Sequence, residues 1–457
     1  MVALLLGMSA NARAADWPTY MHDNLRGGVT EEQLQLPLKQ TWVHRPAVAP
    51  QPAWTGPAKW DAYAGVKGLR SMRDFDPAFY VTAVGDAGYF GSSGDDAVHC
   101  LDASTGAERW SFFSDGPVRV PPTWHAGKLY VGSDDGRAYC LDARSGVVLW
   151  KHKPSASDRL IASNGKLISP WPVRTGVLVQ DGKAYFAASL LPWEESYLCA
   201  VDAATGSDSG EGLYQAVCAS VTLQGAMLAS VTNLYVLQGR SAPLVYRRAD
   251  GKLLGPVSGP AGGVYALLTK DAEFIHGHGS KTGWLSVAQG ETRDQLAALS
   301  GANRLIVSGA TAYLQKGDDL SALDHARYVA TLAQAKTLAD QQTATRKQLD
   351  GLPKENADER EKLEAELKRL QDESAKAQSA TADCCRWTVK CPHQHALILA
   401  GETLFAGGDG RVVAFSASDG QTVWSAPVDG QAHGLTVANG RLFVSTDIGA
   451  IYCFGGA

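Results

Sequence analysis

The stretch Lys128–Trp150, KLYVGSDDGRAYCLDARSGVVLW, constrains this chain more than any other, because much of the remainder repeats it. Lys128–Gly132 and Arg137–Leu141 are short β-rich runs joined by Ser-Asp-Asp-Gly, and Gly146–Trp150 is a third run after Ala-Arg-Ser-Gly. Such a meander cannot bury both faces alone, so it requires neighbours. Gly88–Trp110 supplies one: Asp102 and Asp142 are 40 residues apart, and so are Trp110 and Trp150. Lys183–Gly206 and Thr403–Trp424 are further copies, and Arg441–Gly456 is a copy that stops before its last strand.

A period near 40 residues with four strands per unit predicts an all-β fold of the β-propeller type, not a helical solenoid. The pattern L-Y-V-G-x-x-D-G-x-x-Y-x-L-D-A-x-x-G-x-x-x-W resembles the PQQ-like repeat of quinoprotein alcohol dehydrogenases and BamB-type outer-membrane assembly propellers. With 45% hydrophobic residues, 48 glycines and 19% charged residues in 457, the composition suits many short strands and tight turns. The net charge of −5 provides no basic field for nucleic acid.

In chain order, residues 1–14 (MVALLLGMSANARA) read as the remnant of a secretory signal, with Ala12-Arg13-Ala14 as an A-x-A cleavage site but no basic start. The apolar run is too short to span a bilayer, and an extracytoplasmic location is expected. Asp16–Thr30 is similar to the segment that opens PQQ-like propellers of secreted bacterial proteins. Leu38–Pro46 has the alternation and the late Trp42 of a fourth strand with no three strands before it, and the last copy lacks that strand. Pairing the two would close the ring and hide its edges. Units near 78–112, 119–152, 172–206, 215–254, 262–299, 301–390, 393–427 and 432–457 completed by 38–46 make eight blades, with seven as the alternative.

One unit carries an insertion. Asp324 to Trp387 spans 63 residues where Asp102 to Trp110 spans 8. Leu332, Ala335, Ala339 and then Leu363, Leu367, Leu370 recur at helical steps, broken at Asp350-Gly351-Leu352-Pro353. This predicts an antiparallel coiled-coil hairpin over 326–382, with arms of roughly 30–37 Å projecting into solvent as a docking or oligomer contact. Residues 15–325 and 383–457 are then the two parts of the propeller.

Among the cysteines, Cys100, Cys140 and Cys453 share one strand position and read as buried thiols; Cys199 and Cys218 show no pattern. Cys384, Cys385 and Cys391 cluster, and in an oxidising compartment a disulfide involving Cys391 is the favoured reading over a soft metal. His276 and His278 in HGHG fall where other units place a turn, so an exposed glycine-rich turn is expected. Counting back from the turn glycines aligns Arg119, Arg174 and His393, with His395 and His433 close by, at the start of the innermost strands. These five would ring the channel mouth and suit a small anionic ligand or an acidic peptide.

The resemblance to quinoprotein dehydrogenases implies a PQQ on a Trp floor, a Ca²⁺ held by carboxylates and an Asp base, none of which is placed in this sequence. No P-loop, dinucleotide motif or nucleophile motif is present either. The expectation is a non-catalytic binding or protein-interaction scaffold with no cofactor, one version being a BamB-like assembly role. The alternatives are a PQQ- and Ca²⁺-dependent oxidoreductase and a ligand-sensing propeller.

Overall fold

The computed structural model describes residues 14–54, 75–239, 241–259, 262–277, 284–353 and 355–456. Six four-stranded antiparallel meanders follow one another. The first is Val81–Val84, Ala87–Gly91, Ala97–Asp102 and Glu108–Phe113. The second is Thr123–His125, Lys128–Gly132, Ala138–Asp142 and Val148–His152. The others run over Leu178–Cys218, Leu228–Pro256, Tyr265–Ser300 and Ala302–Lys390. A seven-stranded sheet completes the set. In it the 17-residue strand Thr422–Ala438 pairs with Thr403–Ser416 along its first half and with Arg441–Thr446 along its second, bending from one meander into the next. Leu38–His44 adds to Ile451–Gly456 by antiparallel pairing, with Leu38 opposite Gly456 and His44 opposite Ile451.

Successive sheets pack face to face, and the apolar cores lie between them. Tyr89, Val98 and Cys100 of the first sheet meet Leu129, Val131 and Tyr139 of the second. The last sheet meets the first in the same way: Val437, Phe443 and Phe454 pack with Val81, Phe90 and Leu101. Cys100, Cys140 and Cys453 are buried in these layers, where desolvation raises their thiols to about 12, 11 and 11. They act as small hydrophobes.

The recurring Asp, Gly and Trp each have a physical task. Asp102 Oδ1 accepts from the backbone N–H groups of Ser104 and Thr105 at 2.9 Å, and Asp142 and Asp202 do the same in their own turns. The glycine that follows adopts the left-handed region, at φ +72, +71 and +75 for Gly106, Gly146 and Gly206. Its bare face receives the outer-strand indole of the preceding sheet: Trp110 lies on Gly146, Trp150 on Gly206, Trp387 on Gly420, and Trp42 on Gly106. Trp42, Trp150 and Trp387 also donate Nε1–H to the carbonyls of Ala103, Ala203 and Ala417, each at 3.1 Å.

Two expectations require correction here. The third unit does not stop at 206: its outer strand is Tyr214–Cys218, reached through a loop containing Gly210 and Gly212, and Tyr214 covers Gly251 in place of a tryptophan. His276 is not in an exposed turn. It lies in the strand Glu273–Gly277, opposite Ala266 and Ser286, stacked on Phe274 at 5.4 Å and buried. Neither ring nitrogen has a partner among the described residues, and burial lowers its pKa to about 4. His278 lies outside the described residues.

The insertion forms two helices, α1 (His325–Gly351) and α2 (Ala357–Ala380), between strands Asp319–Asp324 and Cys385–Lys390. Asp324 caps α1 by accepting from the Arg327 N–H at 3.1 Å. Ala335, Leu338, Leu370 and Ala377 form the seam between the helices. The hairpin does not project freely from its base. Val329, with Tyr328 and Leu332, joins the core under Leu299 of the preceding sheet, and His325 Nε2 pairs with Glu273. Among the described residues no helix is long and apolar enough to cross a membrane.

The stacking of indole on glycine predicts unequal costs for similar substitutions. A Cβ on Gly146 would come within 2.6 Å of the Trp110 ring, whereas one on Gly127 meets nothing within 4 Å, and both glycines have positive φ. Gly146→Ala should therefore destabilise by about 2–4 kcal/mol and Gly127→Ala by about 1 kcal/mol. The check is a comparison of urea unfolding midpoints.

Candidate functional site

Residues 15–32 run across the first strands of the successive sheets. Trp17 and Ala83 exchange backbone hydrogen bonds at 2.7 and 3.0 Å, and the Pro18 carbonyl accepts from Trp124 at 2.7 Å. Asn24 donates Nδ2–H to Val179 at 2.9 Å and accepts from Ala229 at 3.1 Å. The carbonyls of Leu25, Gly28 and Thr30 accept from Leu268, Leu399 and Gly401. Val29 packs with Ile306, and Glu32 reaches the turn at Asn439-Gly440. This belt therefore touches the inner strand or its turn in every successive meander. Arg26 holds its bend, donating to Thr19, Tyr20, Asp23 and Met227. Burial lowers the Arg26 guanidinium to about 10, with Asp23 opposing.

The five aligned side chains separate into three settings. Arg119 and Arg174 come together on a carboxylate: Asp134 Oδ2 accepts Arg119 Nε at 2.6 Å and Arg174 Nη2 at 2.7 Å, and Asp134 Oδ1 accepts Arg174 Nε at 2.8 Å. Asp76 takes the other side of Arg119, whose Nη1 also reaches the Gln51 carbonyl at 2.8 Å. The two arginine side chains are 3% and 1% exposed, so they do not offer charge to the channel mouth. Burial alone would raise the Asp134 carboxyl, but Arg174 and then Arg119 outweigh it and hold the group below its ordinary value. At Asp76 burial prevails over Arg119 and the pKa rises. The Trp54 ring lies 5.9 Å from the Arg174 guanidinium.

His395 and His433 do meet, with ring centroids 4.5 Å apart. His395 Nε2 pairs with Asp409 Oδ1 at 2.9 Å, and that oxygen also accepts from Gln431 Nε2 at 2.9 Å. The hydrogen bond from His395 is the main reason the Asp409 carboxyl lies low. Arg304 donates to the His395 carbonyl at 2.9 Å and lies 5.1 Å from the Tyr265 ring centroid. With Tyr20 and Tyr80 these groups line a cavity of about 50 Å³, room for a few waters. A second cavity of about 20 Å³, shared with Tyr20 and Tyr80, borders Arg119. His393 stands apart and half-buried, its carbonyl taken by Gln315 and its pKa lowered first by burial and then by Arg411.

The cysteine cluster does not form a bridge. All eight cysteines are free thiols, and Cys391 lies beyond the far end of the strand Cys385–Lys390, so an extended run of roughly 20 Å separates it from Cys385. Cys391 is buried beside Gln315 and Cys385 is exposed. Among the described residues no group of three or more His, Cys, Asp or Glu side chains is arranged to hold a metal.

The family model described as outer membrane protein assembly factor BamB matches residues 53–212 and 371–454, more than half of the chain. The chain belongs to this family. A search of curated protein sequences finds no match to this BamB-family member. Among solved structures it is similar to the quinohemoprotein alcohol dehydrogenase from Comamonas testosteroni, at 15% identity and TM-score 0.61 over 98% of this chain and 82% of that one. It is also similar to a europium-containing methanol dehydrogenase, at 12% identity and TM-score 0.58 over 96% and 98%. BamB from Moraxella catarrhalis matches at 15% identity and TM-score 0.40 over 92% and 100%. At such identities the first two likenesses establish the PQQ-like propeller fold alone.

Sequence reasoning missed Asp134 and Asp76, the partners that determine what the arginines do. Asp134 was hidden in the Ser-Asp-Asp-Gly turn. Asp134→Asn should cost about 3–5 kcal/mol, because two buried guanidinium groups lose their shared counter-charge; urea denaturation measures it.

A second outcome concerns pH. Burial, then His395 and Arg304, lower His433 from 6.5 to about 3. As the pH falls below 6.5 the unfolded chain gains this proton while the folded chain does not, so stability declines until the pH reaches about 3. In His433→Asn the unfolding midpoint should vary less between those limits than in the wild type.

Proposed function

We propose that this chain is an extracytoplasmic, non-catalytic propeller of eight blades, closed by the strand Leu38–His44, that serves as a protein-binding scaffold. Six four-stranded meanders and the two that share Thr422–Ala438 support the count of eight. The family description, outer membrane protein assembly, supports a role in the assembly of other proteins. The signal-like start at residues 1–14, of which 1–13 lie outside the described residues, supports export.

The observation that carries the reading is charge cancellation in the channel. The buried carboxylates Asp76 and Asp134 are paired with Arg119 and Arg174. A calcium-bound quinone needs free carboxylates and a slot for a tricyclic tricarboxylate. The pairing of these carboxylates and a described cavity of about 50 Å³ support the reading without that group. The expected ring of cations for an anionic ligand is likewise neutralised. Recognition is left to the outer surfaces, of which the α1–α2 hairpin is the largest departure from the repeat.

Calorimetric titration of the purified chain with PQQ in Ca²⁺ buffer should give no saturable heat; binding near one equivalent would overturn the scaffold reading. Replacing Arg327–Ala380 by a short glycine linker should remove partners captured by the intact chain. An unchanged partner set would exclude the hairpin as the docking surface.

A further inference from the structure

The belt is pinned by one carboxylate that pairs with no cation among the described residues. Glu32 is 2% exposed. Its Oε2 accepts from the backbone nitrogens of Ala15 and Asn439, both at 2.9 Å, and its Oε1 accepts from Gly440 N. Asn439 and Gly440 form a two-residue hairpin turn with φ +52 and +76, which aims their N–H groups outward as a small anion nest. Asn439 N also donates to the Ala15 carbonyl at 3.1 Å. The nearby Arg441 is occupied elsewhere, with the Asn439 carbonyl at 3.0 Å and the Ser104 hydroxyl at 3.2 Å. A buried carboxylate held only by amide dipoles is a costly arrangement unless a positive charge completes it.

The atom already at hydrogen-bond distance is the Ala15 nitrogen. In the uncut chain it is an amide carrying one proton. Ala14 is exposed and Ala15 half-buried, so the chain leaves the belt at this peptide bond. The sequence Ala12-Arg13-Ala14 places small residues one and three positions before the same bond, the pattern that a signal peptidase reads.

We infer that the chain is cut between Ala14 and Ala15 and that the new α-ammonium of Ala15 is the counter-ion of Glu32, locking the belt across the channel after export. Hydrolysis adds one water across the bond, leaving a carboxylate on Ala14 and an amine on Ala15 that takes up a proton. The chain start then carries a unit charge and additional donors at the position the amide occupies. This inference rests on the extracytoplasmic reading, but the pairing is testable without it.

The full-length chain is expressed in a Gram-negative host, and its export and N-terminus are read by fractionation and intact mass. Separately, three purified forms are compared: one beginning at Ala15 with a free amine, one retaining Arg13-Ala14, and one beginning at Ala15 but Nα-acetylated. The exported chain should begin at Ala15. The free-amine form should melt roughly 2 °C or more above the other two, and Glu32→Gln should abolish that difference. The native Ala15 amine should also react with a succinimidyl ester at least about tenfold more slowly than in urea, a readout that survives if Glu32→Gln fails to fold. Export with cleavage at another bond, equal melting of the three forms, or unprotected amine reactivity overturns the pairing alone. Retention of the uncut chain in the cytoplasm overturns the extracytoplasmic reading, leaving the three-form comparison to judge the pairing.

Discussion

Everything in this molecule depends on the fact that a four-stranded meander has two apolar faces and can cover neither by itself. The solution is repeated contact between sheets, fixed at the outer edge by an aromatic ring lying on a glycine of the next sheet. Glycine there serves the turn and the neighbour together: positive φ closes the Asp-x-x-Gly turn, and the missing Cβ admits the ring. Because Trp42 makes this contact with Gly106, the strand Leu38–His44 joins the last sheet to the first.

At the axis the same architecture raises a different problem. Inner strands converge, and polar side chains there are desolvated. The chain answers by pairing them with one another: two arginines on Asp134 and Asp76, His395 on Asp409 and against His433, Arg304 beside Tyr265. Such pairing offsets part of the cost of burying charge. Loop and helical insertions such as α1 and α2 lie at the periphery, where they vary without disturbing the inter-sheet cores.

What was legible in the sequence follows from which residues have an obligatory local task. The Asp, Gly and Trp of each unit are needed by the turn and by the neighbouring sheet, so they recur and reveal the period. Where Tyr214 replaces tryptophan after a longer loop, the same contact forms but the signature is lost, and the third unit seemed to end early. Alignment placed Arg119 and Arg174 on the innermost strands, but it could not say that Asp134, 15 and 40 residues away, would neutralise both. The belt has no periodicity at all. Its residues bond to strands scattered from Ala83 to Gly440, and no spacing within residues 15–32 encodes that. The cysteine cluster misled because an extended strand separates Cys391 from the adjacent Cys384 and Cys385.

The pairing of Leu38–His44 with Ile451–Gly456 also has a consequence in time. Contacts between segments so far apart in sequence require closure of a very long loop, and they form late. Leu38–His44 must wait, unpaired, until Ile451–Gly456 has been made. During that interval the edges of both Leu38–His44 and Ile451–Gly456 are open to other chains. These two strands are therefore where a holding chaperone would have most to protect.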